Sequence, residues 1–277
     1  MRRIAGLAEI AARFQGMLFD QFGVLHDGRA AFGGARAALE GVAEAGIPVV
    51  LLSNSGKRAS ANAERLGALG FPQRLFRGVI TSGELARAEL ERRLATGALV
   101  AGAAVSLLAR GGEGGLLDAL PLRRVPPGPK TDLLVIAGTE PENRSRSLAM
   151  KALAPLAARG VPAFCINPDT EIYTRSGSGY GPGALARDYA SAGGPLRFLG
   201  KPGADMFRAG LVALGDPDPA RVLMVGDSPA HDIAGAAAAG CATLLVAGGV
   251  QAAQAVQGDG PAADYVCDRL VWNAASG

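Results

Sequence analysis

Short apolar segments alternate with helical segments along this chain, and this alternation constrains the fold more than any other feature. Residues 17–25 and 48–55 each contain an apolar run of strand length, and residues 78–82 form a third. A helix fits residues 33–45, with Gly46 as its stop. A strand–helix–strand order favours parallel strands joined by right-handed crossovers. The pattern therefore predicts an α/β fold with a Rossmann-like, doubly wound parallel sheet.

The middle third of the chain differs in character. Residues 111–115 and 126–129 are rich in glycine and proline, which is typical of loops. Strands are predicted over residues 131–138 and 161–167, with a helix over residues 143–159 between them. These segments predict a second α/β unit that follows the first.

The first pattern resumes after Gly200. After residues 201–203, a helix is predicted to about residue 214, followed by a strand over 221–227, an alanine-rich helix over 233–240 and a strand over 241–246. Because the first pattern returns, the second unit is inserted rather than appended. We predict a core domain of residues 1–83 and 195–277 and an inserted α/β cap domain of residues 84–194.

The charge balance argues against a nucleic-acid partner. The 28 basic and 25 acidic residues give a net charge of +3, and the two signs are interspersed. Aromatic residues make up only 5% of the chain, which argues against base-stacking surfaces.

No segment has the pattern of a membrane span or a signal peptide. The first residues instead carry apolar side chains at helical spacing, which predicts an amphipathic surface helix: Ile4, Leu7, Ile10, Ala11 and Phe14. The three cysteines are far apart and form no CxxC pair, which indicates reduced thiols. We therefore expect a cytoplasmic protein.

Three predicted strands end in residues that suit metal or phosphate binding. Asp20 ends the first, Ser53 and Asn54 end the second, and Asp227 ends the late strand, shortly before Asp232. The carboxyl ends of parallel strands lie on one edge of a sheet, so these groups could converge. Crowded carboxylates repel one another unless a cation lies between them, and hard oxygen ligands favour Mg²⁺.

Two further residues suit a phosphoryl group beside such a cation. The Lys201 ammonium and the Ser53 hydroxyl could hold phosphate oxygens, with one carboxylate as the nucleophile that forms an aspartyl-phosphate. Taken singly, each residue also has an ordinary explanation. Asp20 could start a turn, Lys201 could be a solvated helix-start residue, and Asp232 could be a first-turn acid favoured by the helix dipole.

The order of these motifs resembles the haloacid dehalogenase (HAD) superfamily over essentially the whole chain. The motifs are Asp20-x-x-Gly-Val-Leu, Ser53-Asn54, Gly200-Lys201-Pro202 and Gly226-Asp227-Ser228-x-x-x-Asp232. The insertion, with its Asn167-Pro168-Asp169 turn, is similar to that of class IIA, the sugar-phosphatase and nitrophenyl-phosphatase-like branch.

The resemblance implies a role for each residue. It makes Asp20 the nucleophile, and it makes Asp20, the backbone carbonyl of Phe22 and Asp227 ligands of Mg²⁺, with Asp232 supporting the metal. Ser53 and Lys201 would hold the phosphoryl group. Asn54 would lie nearby and contribute to binding. Asn167 and Asp169 could contact a small phosphorylated metabolite, although a Pro-Asp turn is also a common structural device. Relatives often pair through this kind of cap, so a homodimer is a further expectation.

One position departs from the family pattern. The family's phosphatases usually carry a second Asp two residues after the nucleophile, and here that position is Phe22. Phenylalanine cannot transfer a proton, so general acid–base catalysis worth about 10²–10⁴-fold is missing unless another group supplies it. His26 is the nearest candidate, since an imidazole titrates near neutral pH, but a loop histidine that makes turn hydrogen bonds is the favoured explanation.

Three functions stay open at this point. The leading one is a Mg²⁺-dependent phosphatase. Family dehalogenases also lack the second Asp and act without metal, but the intact strand end at Asp227 favours phosphate chemistry. The third is a catalytically impaired protein that binds a phosphorylated ligand or a partner.

Overall fold

The computed structural model describes residues 1–111, 114–174, 177–249 and 262–273. The chain divides into two compact units. Met1–Ser53, Ala59–Ile80 and the described residues from Lys201 onward form the first unit, and Asn54–Arg58 and Thr81–Gly200 form the second unit. The predicted inserted domain, residues 84–194, falls within the second unit.

The strands are numbered in chain order. They are β1 (Arg2–Arg3), β2 (Gly16–Asp20), β3 (Val49–Ser53), β4 (Gly78–Thr81), β5 (Ala104–Leu108), β6 (Arg123–Arg124), β7 (Leu133–Ile136), β8 (Ala163–Cys165), β9 (Glu171–Thr174), β10 (Gly177–Tyr180), β11 (Leu196–Phe198), β12 (Val222–Gly226), β13 (Ala242–Val246) and β14 (Tyr265–Cys267).

The α-helices are α1 (Ala35–Glu44), α2 (Ala59–Ala68), α3 (Ser82–Ala95), α4 (Arg146–Ala158), α5 (Pro182–Ser191), α6 (Ala204–Leu214) and α7 (Ala234–Ala238). Short 3₁₀ turns cover Leu7–Glu9, Ala11–Arg13, Gln73–Leu75, Gly114–Leu117 and Pro219–Arg221, and a π-helical turn covers Pro229–Ile233. Within the described ranges, no helix combines the length and the apolar character that crossing a membrane requires.

The first unit is built on a seven-stranded sheet in the order β1-β14-β13-β12-β2-β3-β4. β2 pairs in parallel with both β12 and β3, so that Phe19 faces Val225 on one side and Asp20 faces Leu52 on the other. Every residue of β2 is buried, as expected for a central parallel strand covered on both faces. The register therefore places the ends of β12, β2 and β3 side by side.

Helices cover both faces of this sheet. Successive strand residues point to opposite faces, so Met17 and Phe19 join one hydrophobic cluster together with Leu39 of α1. On the other face, Gly210 of α6 lies against Leu18 and Leu52. The prediction of a doubly wound, Rossmann-like α/β fold is confirmed.

The second unit has its own parallel sheet of five strands, in the order β11-β8-β7-β5-β6, and an antiparallel hairpin of β9 and β10. Two hydrophobic clusters contain alternate residues of β7, with Leu133 in one and Leu134 in the other. In the second cluster, the buried Tyr189 hydroxyl donates a hydrogen bond to the Val161 carbonyl at 2.5 Å. The second unit is thus an α/β unit with its own core.

A buried carboxylate on α3 ties this helix to the edge of the sheet. Glu89 accepts hydrogen bonds from Arg92 at 2.8 and 2.9 Å and from Arg93 at 2.9 Å. It also forms an ion pair with Arg197 of β11 at 3.3 Å. The Arg92 hydrogen bonds, with help from Arg93 and Arg197, lower the pKa of Glu89 to about 2 against the opposing effect of burial. The charged form of Glu89 is therefore the stabilising one.

The predicted N-terminal amphipathic helix is wrong. The segment instead forms two 3₁₀ turns, and Leu7 and Ile10 are buried in the core of the first unit. The Leu7 and Ala8 N–H groups donate to the carbonyls of Val271 and Trp272, both at 2.9 Å. Contacts with the distant end of the chain thus replace the local hydrogen bonds that an α-helix needs.

All three cysteines are buried free thiols. Burial raises the pKa of Cys165 to about 12 and that of Cys241 and Cys267 to about 11. Since the thiolate is the reactive form, the three thiols are structural groups, in agreement with the prediction of reduced cysteines.

We predict that Glu89→Gln lowers the free energy of unfolding by about 1–3 kcal/mol at neutral pH, because it removes charge-assisted hydrogen bonds. The folded-state pKa lies below the unfolded value of about 4.3, so this stabilisation is present above that pH and is lost as the pH falls towards 2. Urea denaturation across this pH range measures the effect.

Glu91→Gln is the matched control, because Glu91 is an exposed partner of Arg87 on the same helix and should contribute at most about 1 kcal/mol. Equal losses in the two variants, or a Glu89→Gln loss that does not change with pH, would contradict the assignment.

Candidate active site

Three buried carboxylates converge at one edge of the first unit's sheet. Asp20 ends β2, Asp227 directly follows β12, and Asp232 lies in the π-helical turn that comes next. Each offers an oxygen, and these oxygens all lie within 4.8 Å of one another. The parallel pairing of β2 with β12 brings the first two together.

Asp232 is held against the end of β12 by its own turn. Its Oδ2 accepts a hydrogen bond from the Ser228 N–H at 3.1 Å, and its own N–H donates to the Ser228 carbonyl at 2.8 Å. The Ser228 hydroxyl oxygen caps the turn by accepting from the His231 N–H at 3.3 Å. The turn therefore fixes the third carboxylate relative to the strand that carries the second.

Lys201 supplies the positive charge of the cluster. Its Nζ lies 2.5 Å from Asp20 Oδ1 and 2.7 Å from Asp232 Oδ1, and its side chain is 4% exposed. One ammonium cannot balance three carboxylates, and buried charge without a counter-charge is costly. The carboxylate oxygens therefore fit a hard divalent cation such as Mg²⁺, both in ligand type and in charge.

The same crowding shifts the proton affinities of the cluster. Burial raises the pKa of Asp20, Asp232 and Asp227 raise it further, and Lys201 opposes them. For Lys201, burial lowers the pKa, but the attraction of Asp20 and Asp232 outweighs burial and raises the pKa above its ordinary value. The ammonium therefore stays charged, while a cation would compete with a proton for Asp20.

Two glycines let the backbone approach Asp227 closely. Gly23 has a φ of +91°, and a Cβ there would lie 2.0 Å from Asp227 Oδ2. A Cβ at Gly249 would lie 2.3 Å from Asp227 Cβ. The sequence indicates only a loop at Gly249, although a glycine pair just beyond a strand of this sheet is the signal that could have identified its role.

The remaining predicted residues divide between the two units. Ser53 is the last residue of β3, next to Leu52, which pairs with Asp20. Asn54, Asn167 and Asp169 belong to the second unit. Asn54 Oδ1 accepts a hydrogen bond from the Ser82 hydroxyl at 3.3 Å, and Asn167 Oδ1 accepts one from the Asp169 N–H at 3.0 Å. The structure thus joins Asp20, Asp227, Asp232 and Lys201 directly, with Ser53 on the neighbouring strand end.

Phe22 and His26 lie beyond the end of β2. The Phe22 side chain is 39% exposed, and its ring meets the His26 imidazole edge-on at a centroid distance of 6.2 Å. His26 is 3% exposed, and its Nδ1 accepts a hydrogen bond from the Gly28 N–H at 3.0 Å. Burial, together with the nearby Arg65, lowers the pKa of His26 to about 4. His26 is therefore neutral near pH 7 and makes the turn hydrogen bond of a structural loop histidine.

Comparison with known families gives two matches along the chain. Residues 17–110 match the haloacid dehalogenase-like hydrolase model, and residues 198–272 match a HAD-hydrolase-like model. The two matched segments together contain Asp20, Ser53, Lys201, Asp227 and Asp232.

Known proteins are similar over nearly the full length. Mouse (Mus musculus) chronophin is 32% identical over 267 residues, which cover 92% of this chain and 88% of chronophin. A haloacid dehalogenase-like hydrolase from Brucella suis superposes with a TM-score of 0.82 at 27% identity, covering 96% of this chain and 99% of that one. The glycerol phosphate phosphatase of Mycobacterium tuberculosis in complex with magnesium gives 0.71 at 26% identity, covering 93% and 76%.

We predict that Gly23→Ala abolishes the rise in unfolding temperature that Mg²⁺ should produce in the wild-type protein, because the added Cβ displaces the Asp227 carboxylate. Thermal unfolding with and without MgCl₂ measures this. Gly70→Ala is the matched control, because Gly70 has a φ of +92° but open space around it. Both variants should lose about 1 kcal/mol from backbone strain. A Mg²⁺ response that survives in Gly23→Ala, or is lost in both variants, would contradict the assignment.

Proposed function

This chain belongs to the haloacid dehalogenase-like hydrolase family, as a phosphatase-like enzyme of class IIA, and we propose that it removes phosphate from a small phosphorylated metabolite in a Mg²⁺-dependent reaction. The observation that carries the proposal is the cluster of Asp20, Asp227 and Asp232 around a single lysine. The M. tuberculosis relative, a glycerol phosphate phosphatase in complex with magnesium, supports both the substrate class and the metal.

The metal ligands that we propose are the carboxylates of Asp20 and Asp227 and the backbone carbonyl of Phe22. Asp232, whose Oδ2 accepts a hydrogen bond from the Ser228 N–H, would support the metal site without being a direct ligand. When bound, Mg²⁺ would supply the positive charge that the cluster lacks and would attract phosphate oxygens. Binding the metal, and thereby neutralising the buried carboxylates, would leave Asp20 ionised.

Asp20 is the nucleophile in this proposal. Its side chain is 11% exposed, whereas those of Lys201 and Asp232 are more deeply buried at 4% and 1%. One Asp20 oxygen would attack phosphorus and form an aspartyl-phosphate, as the bond from phosphorus to the leaving group breaks. Water would then attack phosphorus and release phosphate and the free Asp20 carboxylate.

The residues that would hold the phosphoryl group are Lys201 and Ser53. The Lys201 ammonium stays charged, and it would offer hydrogen bonds to the phosphate oxygens. We further propose that the second unit is the cap that selects the substrate, through Asn54, Asn167 and Asp169. The hydrogen bond from the Asp169 N–H to Asn167 gives the loop after β8 a defined shape for that role.

Carbon–halogen hydrolysis is the competing function, and the aromatic Phe22 is the observation that favours it. A halide leaves without a proton, so the missing acid is no handicap. Metal-independent chemistry, however, gives no reason to collect three buried carboxylates at one strand edge. We therefore rank phosphate chemistry first.

We predict that Asp20→Asn lowers phosphate release by at least about 10³-fold, because it removes the nucleophile. A panel of phosphorylated compounds, assayed with MgCl₂ and with EDTA, measures this, and EDTA should abolish wild-type activity.

Asp216→Asn is the control, since Asp216 is an exposed aspartate paired with Arg208 and should leave the rate unchanged. Turnover that persists in Asp20→Asn would rule out this nucleophile. Halide release from haloacids in the presence of EDTA would establish the competing function instead.

A further inference from the structure

The first solvent-exposed side chain after Asp20 is a hydrocarbon. Gln21 is buried, and Phe22 is 39% exposed, more than any other phenylalanine except Phe198 among those described. Its ring lies beside Gly28, where a Cβ would be 3.3 Å from Phe22 Cε2. The exposed side chain nearest in sequence to the nucleophile therefore neither gives nor accepts a proton.

Lys201 is committed to the carboxylate cluster. Its ammonium lies within 2.7 Å of both Asp20 and Asp232, and it is almost fully buried between them. This geometry assigns Lys201 to binding and orienting the reacting groups.

Histidine is the residue that most often transfers protons in enzymes, and the chain has two. The His26 side chain is 3% exposed, its ring contacts the Phe22 ring edge-on, and its Nδ1 accepts a hydrogen bond from the Gly28 N–H. Its Nε2 is buried, so a substrate in the site cannot reach it, and among the described residues it has no hydrogen-bond partner. His231 is half-buried on the π-helical turn before Asp232, and a variant tests it directly.

An active site without a proton donor for the leaving group acts best on phosphorylated compounds whose leaving group needs no proton. We propose that the active site favours compounds whose leaving group departs as a stabilised anion, namely acyl and aryl phosphates, over alkyl phosphates. The inference rests on the proposed function and names the substrate class of the same site. It separates this chain from the glycerol phosphate phosphatase that it resembles, because a glycerol phosphate has an alkyl leaving group.

The chemistry of the first step gives the reason. One Asp20 oxygen forms a bond to phosphorus, the bond from phosphorus to the leaving oxygen breaks, and the electron pair stays on that oxygen. A carboxylate or a phenolate accommodates this charge, since the parent acids have pKa values of about 4 and 10. An alkoxide is far more basic and needs a proton as it departs, which a general acid normally supplies for about 10²–10⁴-fold in rate.

The second step does not discriminate among substrates. Water attacks the phosphorus of phosphorylated Asp20, the bond to the Asp20 oxygen breaks, and the proton of water passes to phosphate or solvent. The leaving group here is a carboxylate, which needs no acid. Dependence on the substrate's leaving group should therefore appear in kcat/KM, which reports the steps up to the first irreversible one.

The experiment compares kcat/KM for acetyl phosphate, 4-nitrophenyl phosphate, phenyl phosphate and glycerol 3-phosphate with Mg²⁺ present. The wild-type enzyme should prefer 4-nitrophenyl over phenyl phosphate by at least about 10²-fold and should act most weakly on glycerol 3-phosphate. Phe22→Asp should raise the rate on phenyl phosphate and glycerol 3-phosphate by about 10²-fold or more and flatten the series.

Phe22→Asn is the matched control, since asparagine has the size and polarity of aspartate without an acidic proton. It should keep the strong dependence of kcat/KM on the leaving group that the wild type shows. Equal gains in the two Phe22 variants would assign the preference to the bulk of the ring and overturn the inference. A stronger dependence of kcat/KM on the leaving group in His231→Gln than in the wild type would identify His231 as the acid. That result would also overturn the inference.

The outcomes also separate this inference from the proposed function. Similar wild-type rates on all four substrates would overturn the inference and leave Mg²⁺-dependent phosphate release intact. No phosphate release from any of the four would overturn the proposed function together with the inference.

Discussion

The imbalance between three buried carboxylates and one buried ammonium is the constraint on which the rest of the first unit depends. A folded chain tolerates such a cluster only if many correct contacts hold it in place, because each charge has lost its water. The central strands supply those contacts through the parallel register of β2 with β12 and β3. The glycines around Asp227 supply further contacts, because without a Cβ atom their backbone can lie close to the Asp227 side chain. The contacts that hold this edge of the sheet together are thus the same contacts that hold the carboxylates in place.

The sequence predicted most of this architecture, for a physical reason. Buried parallel strands are apolar throughout, and each one here ends where its polar residues begin, so the positions of Asp20, Ser53 and Asp227 could be identified. The geometry of Asp232 could not be predicted, because it depends on a π-helical turn whose hydrogen bonds return to Ser228. The role of Gly249 was hidden because a glycine after a strand is usually only a loop residue.

The wrong prediction at the N-terminus has a physical cause. Ile10 and its neighbours have helical spacing, but their segment is paired with residues more than 250 positions later, such as Val271 and Trp272. Tertiary hydrogen bonds there outweigh local periodicity. At His26 the sequence favours a structural loop histidine over an acid, and the burial of this side chain and its hydrogen bond with Gly28 bear this out. The type of a residue shows which reactions its side chain could perform. Its burial determines whether a substrate can reach that side chain.

The connection of the two ends of the chain has a consequence for how the protein is made. β2 is synthesised early, but one of its two neighbours in the sheet, β12, contains Val222–Gly226. The second unit, by contrast, is one continuous stretch, Thr81–Gly200, apart from residues 54–58. During synthesis, the second unit can form its sheet before β12, the later partner of β2, has been made. Asp227 and Asp232 therefore emerge after the second unit is complete, and the candidate active site can form only late in synthesis.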